Sequence, residues 1–308
     1  MSGARPPEPT TGLRSDTLAR LVELVDGHAR GEGVTPTPID KFALYRTSVE
    51  LPRTPELETP AVVLLVQGTK ICHYDETSRR YTGPRVVVGL FPAPLETEFL
   101  DASPDRPFLA AGVHLDTNRL ADLVLRLDEL GDAPPTDEPA DGTAKFSLEL
   151  TDDTAAPFIR LLEMVARPVD LAVLGSGAID EIYYRLLTGP RGRAIRHLLQ
   201  RDGNIRRISR AVHHIHEHLA QPVVVDDLAA QVHMSRTAFY TAFREVMGTS
   251  PLQYAKSVKL LEAQRLLQEG RSVAEAGHAV GYANLSQFSR EFRRRFGHPP
   301  STVGHGPG

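Results

Sequence analysis

The sequence predicts an α+β chain: an N-terminal antiparallel β-barrel with flanking helices, then an all-α C-terminal unit built on a duplicated helix-turn-helix. Three observations carry this. Six short β-like runs crowd between Phe42 and Leu115, the C-terminal part is helical in pattern, and within it one motif is written twice. Val225–Gly248 and Val273–Gly297 align at an offset of 49 from Phe239 onward, pairing Phe239 with Phe288, Phe243 with Phe292, Arg244 with Arg293, Gly248 with Gly297 and Pro251 with Pro300. Upstream the offset is 48, so Val232 meets Val280, Met234 meets Tyr282, and the second turn is one residue longer.

Residues 15–29 predict a first helix, capped by Ser15 and Asp16, with Leu18, Leu21, Val22 and Val25 on one face. The runs FALYRTSV, AVVLLVQG, KICHY, RVVVGLF, LETEFL and FLAAGVHL follow, separated by Gly, Pro, Asp and Ser at turn spacing, as a small barrel or sandwich requires. A helix starts near Asn118, residues 131–143 read as a loop, and KFSLEL as a returning strand. Helices at 155–166 and 177–188 precede a connector, TGPRGRAIRHLLQRDGN. Ile208, Val212, Ile215 and Leu219 then form one helical stripe, and Ser250 with Pro251 opens a long helix ended by Gly270.

Composition narrows the classes. No apolar run approaches the roughly 20 residues of a membrane span. The opening MSGARPPEPTTG lacks the apolar core of a signal peptide and reads as a flexible tail. A single cysteine, Cys72, rules out an internal disulfide framework and fits a reducing cytoplasm. The net charge of −4 hides an asymmetry: residues 206–308 hold 13 Lys+Arg against 8 Asp+Glu, and the rest 22 against 31. A basic C-terminal unit on an acidic body is the balance expected of a nucleic-acid module joined to a domain that does not bind it.

In each second helix of the repeat, a polar residue, Ser235 or Asn284, caps the start and a Phe pair at i, i+4 buries one face. The DNA major groove accepts one such helix. With Phe239 inward, Arg236, Thr237, Tyr240 and Thr241 face out; around Phe288 the equivalents are Ser286, Gln287, Ser289 and Arg290. These are the candidate base contacts. Arg290 suits guanine O6 and N7, Gln287 adenine, and Thr237 or Thr241 a thymine methyl. Arg244, Arg293, Arg294 and Arg295, late in the helices, are candidate phosphate clamps. A rigid helix between the repeats sets the two readers roughly 34 Å apart, in successive major-groove segments.

LAAQVHMS, TAFYTAFREVMGTSPLQY and VGYANLSQFSREFRRRFGHPP closely resemble the AraC/XylS class of bacterial transcription regulators, over about residues 206–300. Upstream, VQGTKICHY and SGAIDEIYYRLLTGPRGRAIRHLL resemble the sensor domain of one subgroup, a cupin-like barrel. The resemblance implies a flexible tail (1–14), an effector and dimerisation domain (15–190), a linker (191–206) and a double helix-turn-helix domain (207–302). It further implies double-stranded DNA, a small-molecule effector and a second copy of the chain as partners, RNA polymerase too if the protein is an activator, and a cytoplasmic, nucleoid-associated location. Two positions depart from the family. Lys259, a further phosphate candidate, stands where arginine is usual, and His233 where a small turn residue is usual and φ > 0 is needed.

No catalytic residue, cofactor or metal site is read in the chain. A metal-binding cupin needs His-x-His with a following Glu, whereas HYDE (73–76) offers one histidine and His114 lies far along. Gly-x-Ser-x-Gly, phosphate-loop and Cys-x-x-Cys patterns are absent. Gln67, Tyr74, Glu96 and His114 are the candidate polar contacts to an effector, and Cys72 a candidate redox sensor. The stripe Ile179, Ile182, Tyr183 and Leu186 faces either a partner or the barrel. The alternatives are a thiol or electrophile switch at Cys72, a ligand-independent DNA binder, and a barrel enzyme fused to a DNA module.

Overall fold

In a computed structural model, residues 12–39, 41–74, 78–132, 145–199 and 204–303 are described. The tail before residue 12, most of the expected loop 131–143, and Asp75–Glu76 of HYDE lie outside them. Helix α1 (Ser15–His28) precedes nine strands: β1 (Gly33–Pro36), β2 (Phe42–Thr47), β3 (Leu51–Glu58), β4 (Ala61–Gln67), β5 (Thr69–His73), β6 (Ser78–Thr82), β7 (Arg85–Gly89), β8 (Ala93–Leu100) and β9 (Phe108–His114). Helix α2 (Thr117–Glu129) and strand β10 (Lys145–Glu149) follow, then α3 (Asp152–Met164), α4 (Pro168–Thr188) and α5 (Gly192–Leu199). The C-terminal unit comprises α6 (Asn204–Glu217), α7 (Val225–Gln231), α8 (Arg236–Met247), α9 (Pro251–Gln268), α10 (Val273–Ala279) and α11 (Leu285–Phe296).

The strands form two antiparallel sheets, β1-β2-β9-β4-β7-β10 and β3-β8-β5-β6. The apolar runs are explained by burial on both faces of the larger sheet. Val62, Leu64 and Val66 of β4 and Val86 and Val88 of β7 join the core shared with the helices. Leu65 and Val87, which alternate with them, belong to the separate cluster between the sheets. On β8 the same alternation buries Leu95, Thr97 and Phe99.

Three strands escape the sequence reading. β1 and β6 are short, and β3 (LPRTPELE) carries two prolines and two glutamates, tolerable because it ends its sheet. Arg14 stands at the N-cap of the first helix and makes no side-chain cap, and Asp16 accepts from the Thr17 amide instead of capping. The expected linker contains α5, anchored by Arg196: only 2% exposed, its guanidinium donates to the Leu187 and Asp132 carbonyls and the Asp132 carboxylate. The stripe Ile179, Ile182, Tyr183 and Leu186 is buried within the chain's own core. The opposite side of α4 exposes Val169, Val173, Leu174 and Tyr184.

Candidate nucleic-acid interface and barrel cavity

Both second helices of the repeat are capped as their sequences require. Ser235 Oγ accepts from the Ala238 amide and Asn284 Oδ1 from the Ser286 and Gln287 amides. Gly248 and Gly297 end them at φ of 71° and 80°, the left-handed conformation that closes a helix. Phe239, Phe243, Phe288 and Phe292 are completely buried. Arg236, Thr237, Tyr240 and Thr241 on α8, and Ser286, Gln287 and Arg290 on α11, are exposed, with Ser289 half-buried. Arg236 pairs with Asp226 across the turn at 3.0 Å, an exposed contact worth little.

The phosphate candidates divide. Arg244, Arg293 and Arg294 are exposed. Arg244 and Arg294 line a polar cleft of about 400 Å³ between the two reading helices, floored by Gln253, Lys256 and Ser257 of α9. Lys259 donates instead to the Gln221 carbonyl at 3.0 Å, and burial lowers its pKa. Arg295 pairs with Glu96 of the barrel at 3.2 Å. Both would have to leave these partners to reach a phosphate.

Glu291, which sequence reasoning missed, fixes α11 in place. It accepts from Tyr282 (2.8 Å) and Gln287 (3.4 Å) and pairs with Lys256 of α9 (3.0 Å). Burial alone would raise its pKa, but these partners hold it below the ordinary glutamate value.

The barrel holds a half-open cavity of about 300 Å³, lined mostly by apolar side chains including Leu57, Val63, Leu65, Tyr81, Phe99 and Phe108. Its charged wall is Glu56, Glu58, Lys70 and Lys145. Lys145 lies 2.6 Å from Glu58 and 3.3 Å from Cys72 Sγ, and Lys70 lies 3.1 Å from Glu56 and 3.4 Å from Glu58. Burial pulls both ammonium pKa values down, but Glu58 acting together with Glu56 and Cys72 at Lys70, and with Cys72 and Tyr81 at Lys145, more than reverses this, and both end above the ordinary lysine range. Both lysines are therefore cations at neutral pH.

Of the effector candidates, Gln67, Glu96 and His114 are absent from this lining. Gln67 donates to the Pro107 carbonyl. Glu96 points out of the barrel, held by Arg53 and Arg295. The alternation LETEFL contains that signal, because inward Leu95, Thr97 and Phe99 put Glu96 on the other face. Tyr74 borders a smaller space of about 80 Å³ between the barrel and the end of α8, with Phe91, Val246 and Met247. Lys145 lines this space as well as the cavity. The same seam is closed by Tyr254 of α9, which donates to the Pro92 carbonyl at 2.9 Å. A hydroxyl has one proton, so the His216 nitrogen 2.8 Å away is the donor to Tyr254.

Cys72 lines the cavity but is fully buried, and burial raises its pKa against the opposing pull of Lys145 and Lys70. A shielded thiol whose pKa is raised is a poor sensor of oxidants, which weighs against the thiol-switch alternative. His73 is held by Ser78 (2.8 Å) and Glu98 (3.2 Å). Among the described residues no three His, Cys, Asp or Glu converge as a metal site.

Residues 38–194 match the family model of the AraC-type transcriptional regulator N-terminus, and residues 228–305 that of a helix-turn-helix domain. The RCS-specific transcriptional activator RclR of Escherichia coli is 40% identical over 77 residues, covering 25% of this chain and 27% of RclR. The curated relatives with which the chain aligns are covered over only 23–38% of their length. An apo lysine-to-alanine variant of ToxT from Vibrio cholerae shares the fold at 10% identity, with a TM-score of 0.54 over 89% of this chain and 99% of that one. ToxT bound to (E)-4-(8-methylnaphthalen-1-yl)but-3-enoic acid gives 13% identity and 0.51 over 86% and 99%. With the N-terminal model spanning half the sequence and a helix-turn-helix model following it, the chain belongs to the AraC-type transcriptional regulators.

Proposed function

We propose that this chain is a cytoplasmic, sequence-specific transcription regulator whose hold on DNA is set by a small molecule in the barrel cavity. One observation carries the reading. Two capped helices, each anchored by a buried Phe pair, turn polar faces outward on the same unit, and that unit is seamed to a hollow barrel. Arg290 and Gln287 on α11, and Arg236, Thr237 and Tyr240 on α8, read base edges in two successive major-groove segments. Arg244, Arg293 and Arg294 contact phosphates.

Effector and DNA are coupled across the seam, because Lys145 borders both the cavity and the space against Val246 and Met247 at the end of α8. The small molecule bound to ToxT supports an effector in this architecture. A homodimer formed through the exposed face of α4 (Val169, Val173, Leu174) brings two such units to one operator. Activation, as the name of RclR states for that protein, then works through RNA polymerase.

The test is selection of bound sequences from a random duplex pool by the full-length protein at near-physiological salt. Two short elements about one helical turn apart are expected. Recovery of unrelated sequences would overturn the sequence-specific reading.

A further inference from the structure

The charges in the cavity wall cancel one another. Lys70 stands 3.1 Å from Glu56 and 3.4 Å from Glu58, and Lys145 2.6 Å from Glu58, so two cations face two carboxylates. Burial alone would raise the Glu58 pKa, but Lys145 and Lys70 hold it below the ordinary glutamate value. A charged molecule of either sign must break one of these pairs to enter, and leaves a largely buried charge without its partner. The rest of the wall is mostly hydrocarbon, from Val63, Leu65, Val87, Phe99, Phe108 and Ala110.

Tyr81 supplies the second observation. It lines the cavity, is only 5% exposed, and its hydroxyl has no hydrogen-bond partner among the described residues. The cations around it offer no acceptor: Arg79, whose charge acts on it, and Lys145, 5.5 Å over its ring, can only donate. A buried hydroxyl whose proton finds no acceptor is costly, and one oxygen relieves it. The wall is thus complementary to a single acceptor and to no charge. A polyol would bring more hydroxyls than these side chains can pair, and a cavity of about 300 Å³ is at the small end for ligands.

We propose that the cavity takes a small uncharged molecule, hydrocarbon over most of its surface, whose one acceptor oxygen pairs with the Tyr81 hydroxyl while the lysine–glutamate pairs stay closed. This rests on the reading of the barrel as the effector site. Selectivity then has two sources. A carbonyl or ether oxygen gains the Tyr81 hydrogen bond that a hydrocarbon of the same shape lacks. A carboxylate or an ammonium must displace a charged partner that the uncharged molecule leaves in place.

The experiment is calorimetric titration of the full-length protein with acetophenone, methyl benzoate and 1-indanone, beside benzoate and benzylamine as charged counterparts and indane as the hydrocarbon. At least one of the three uncharged oxygen compounds is expected to bind ten-fold or more tightly than either charged one. Tyr81→Phe removes an unpaired group, so it should fold at least as well as the parent. It should weaken that compound three- to ten-fold and leave indane unchanged. Glu56→Gln gives the wall a net positive charge and should tighten benzoate at least ten-fold. Benzoate or benzylamine binding the parent as tightly as the uncharged compounds overturns the proposal, as does unchanged binding of the oxygen compound in Tyr81→Phe, or binding by none of the three. The effector reading falls separately: an uncharged compound that binds as expected but leaves occupancy of the selected DNA unchanged overturns that reading and leaves the ligand class standing.

Discussion

The first helix-turn-helix shares its core with the barrel, whereas the second keeps one of its own. Val225, Leu228, Phe239 and Phe243 belong to a cluster that runs unbroken from Leu21 of α1 to Val258 of α9. Leu260, Ala263, Leu267, Ala276, Val280, Phe288 and Phe292 form a separate cluster. The two units compensate differently. The first opens at Val224 with no side-chain cap, while the second opens with a Ser272–Glu275 capping box. A unit welded into a larger core can do without local stabilisation; one standing on seven buried residues makes fuller use of it.

The largest effect that can break this comparison is cavity creation. Phe243→Ala and Phe292→Ala should each cost about 3–5 kcal/mol. Hydrogen exchange should show the first loosening the barrel helices as well, and the second confined to residues beyond α9. Equal spread in both variants would mean that the cores are one.

The turns come next. Gly281 has φ of +83°, and a Cβ there would lie 2.2 Å from the Ala220 carbonyl oxygen in the loop before α7. Its counterpart His233 also adopts positive φ, 54°, but is exposed. Gly281→Ala should therefore lower stability by about 1–3 kcal/mol in chemical denaturation. His233→Gly should raise it by under about 1 kcal/mol. A destabilised His233→Gly would show that the histidine side chain, and not the backbone, holds the first turn.

Smaller still, Ser272→Ala should cost about 1 kcal/mol, and Val224→Ser should gain a similar or lesser amount by supplying the missing cap. Thermal unfolding checks both. If Val224→Ser gains nothing, tertiary packing already fixes the start of α7.

The smallest effect is on pH. Burial, aided by neighbouring His213, lowers the pKa of His216 below its ordinary value near 6.5. The unfolded chain then takes up a proton that the folded one refuses, so stability falls as pH drops below about 6.5. His216→Gln should flatten the dependence of Tm on pH between about 7 and 5. An unchanged slope would place the titration elsewhere.

Much of this was legible because local chemistry and global fold agree. Ser235, Asn284, Gly248 and the Phe pairs sit where any such helix needs them, so spacing alone locates them. The cavity was less legible. Lys70 and Glu58 look like surface charges in strands, and only the register that sets Lys70 between Tyr81 and Phe99 turns it inward. Cys72, two residues on and buried, carried the one sequence signal, since i and i+2 share a face. Lys145 follows a segment without periodicity, and its role depends on β10 returning beside β7. Glu96 was misplaced although the alternation of LETEFL turns it outward; only its partner across the seam, Arg295, could not be read from local sequence.

The central claim is that two reading helices, differently supported, each specify part of one operator. The most direct measurement repeats the selection from random duplexes with Arg236→Ala and Arg290→Ala proteins beside the parent. Each variant should lose preference at one base position, the two positions lying in different elements about one helical turn apart. Unchanged motifs in both variants, or losses within the same element, would contradict the claim.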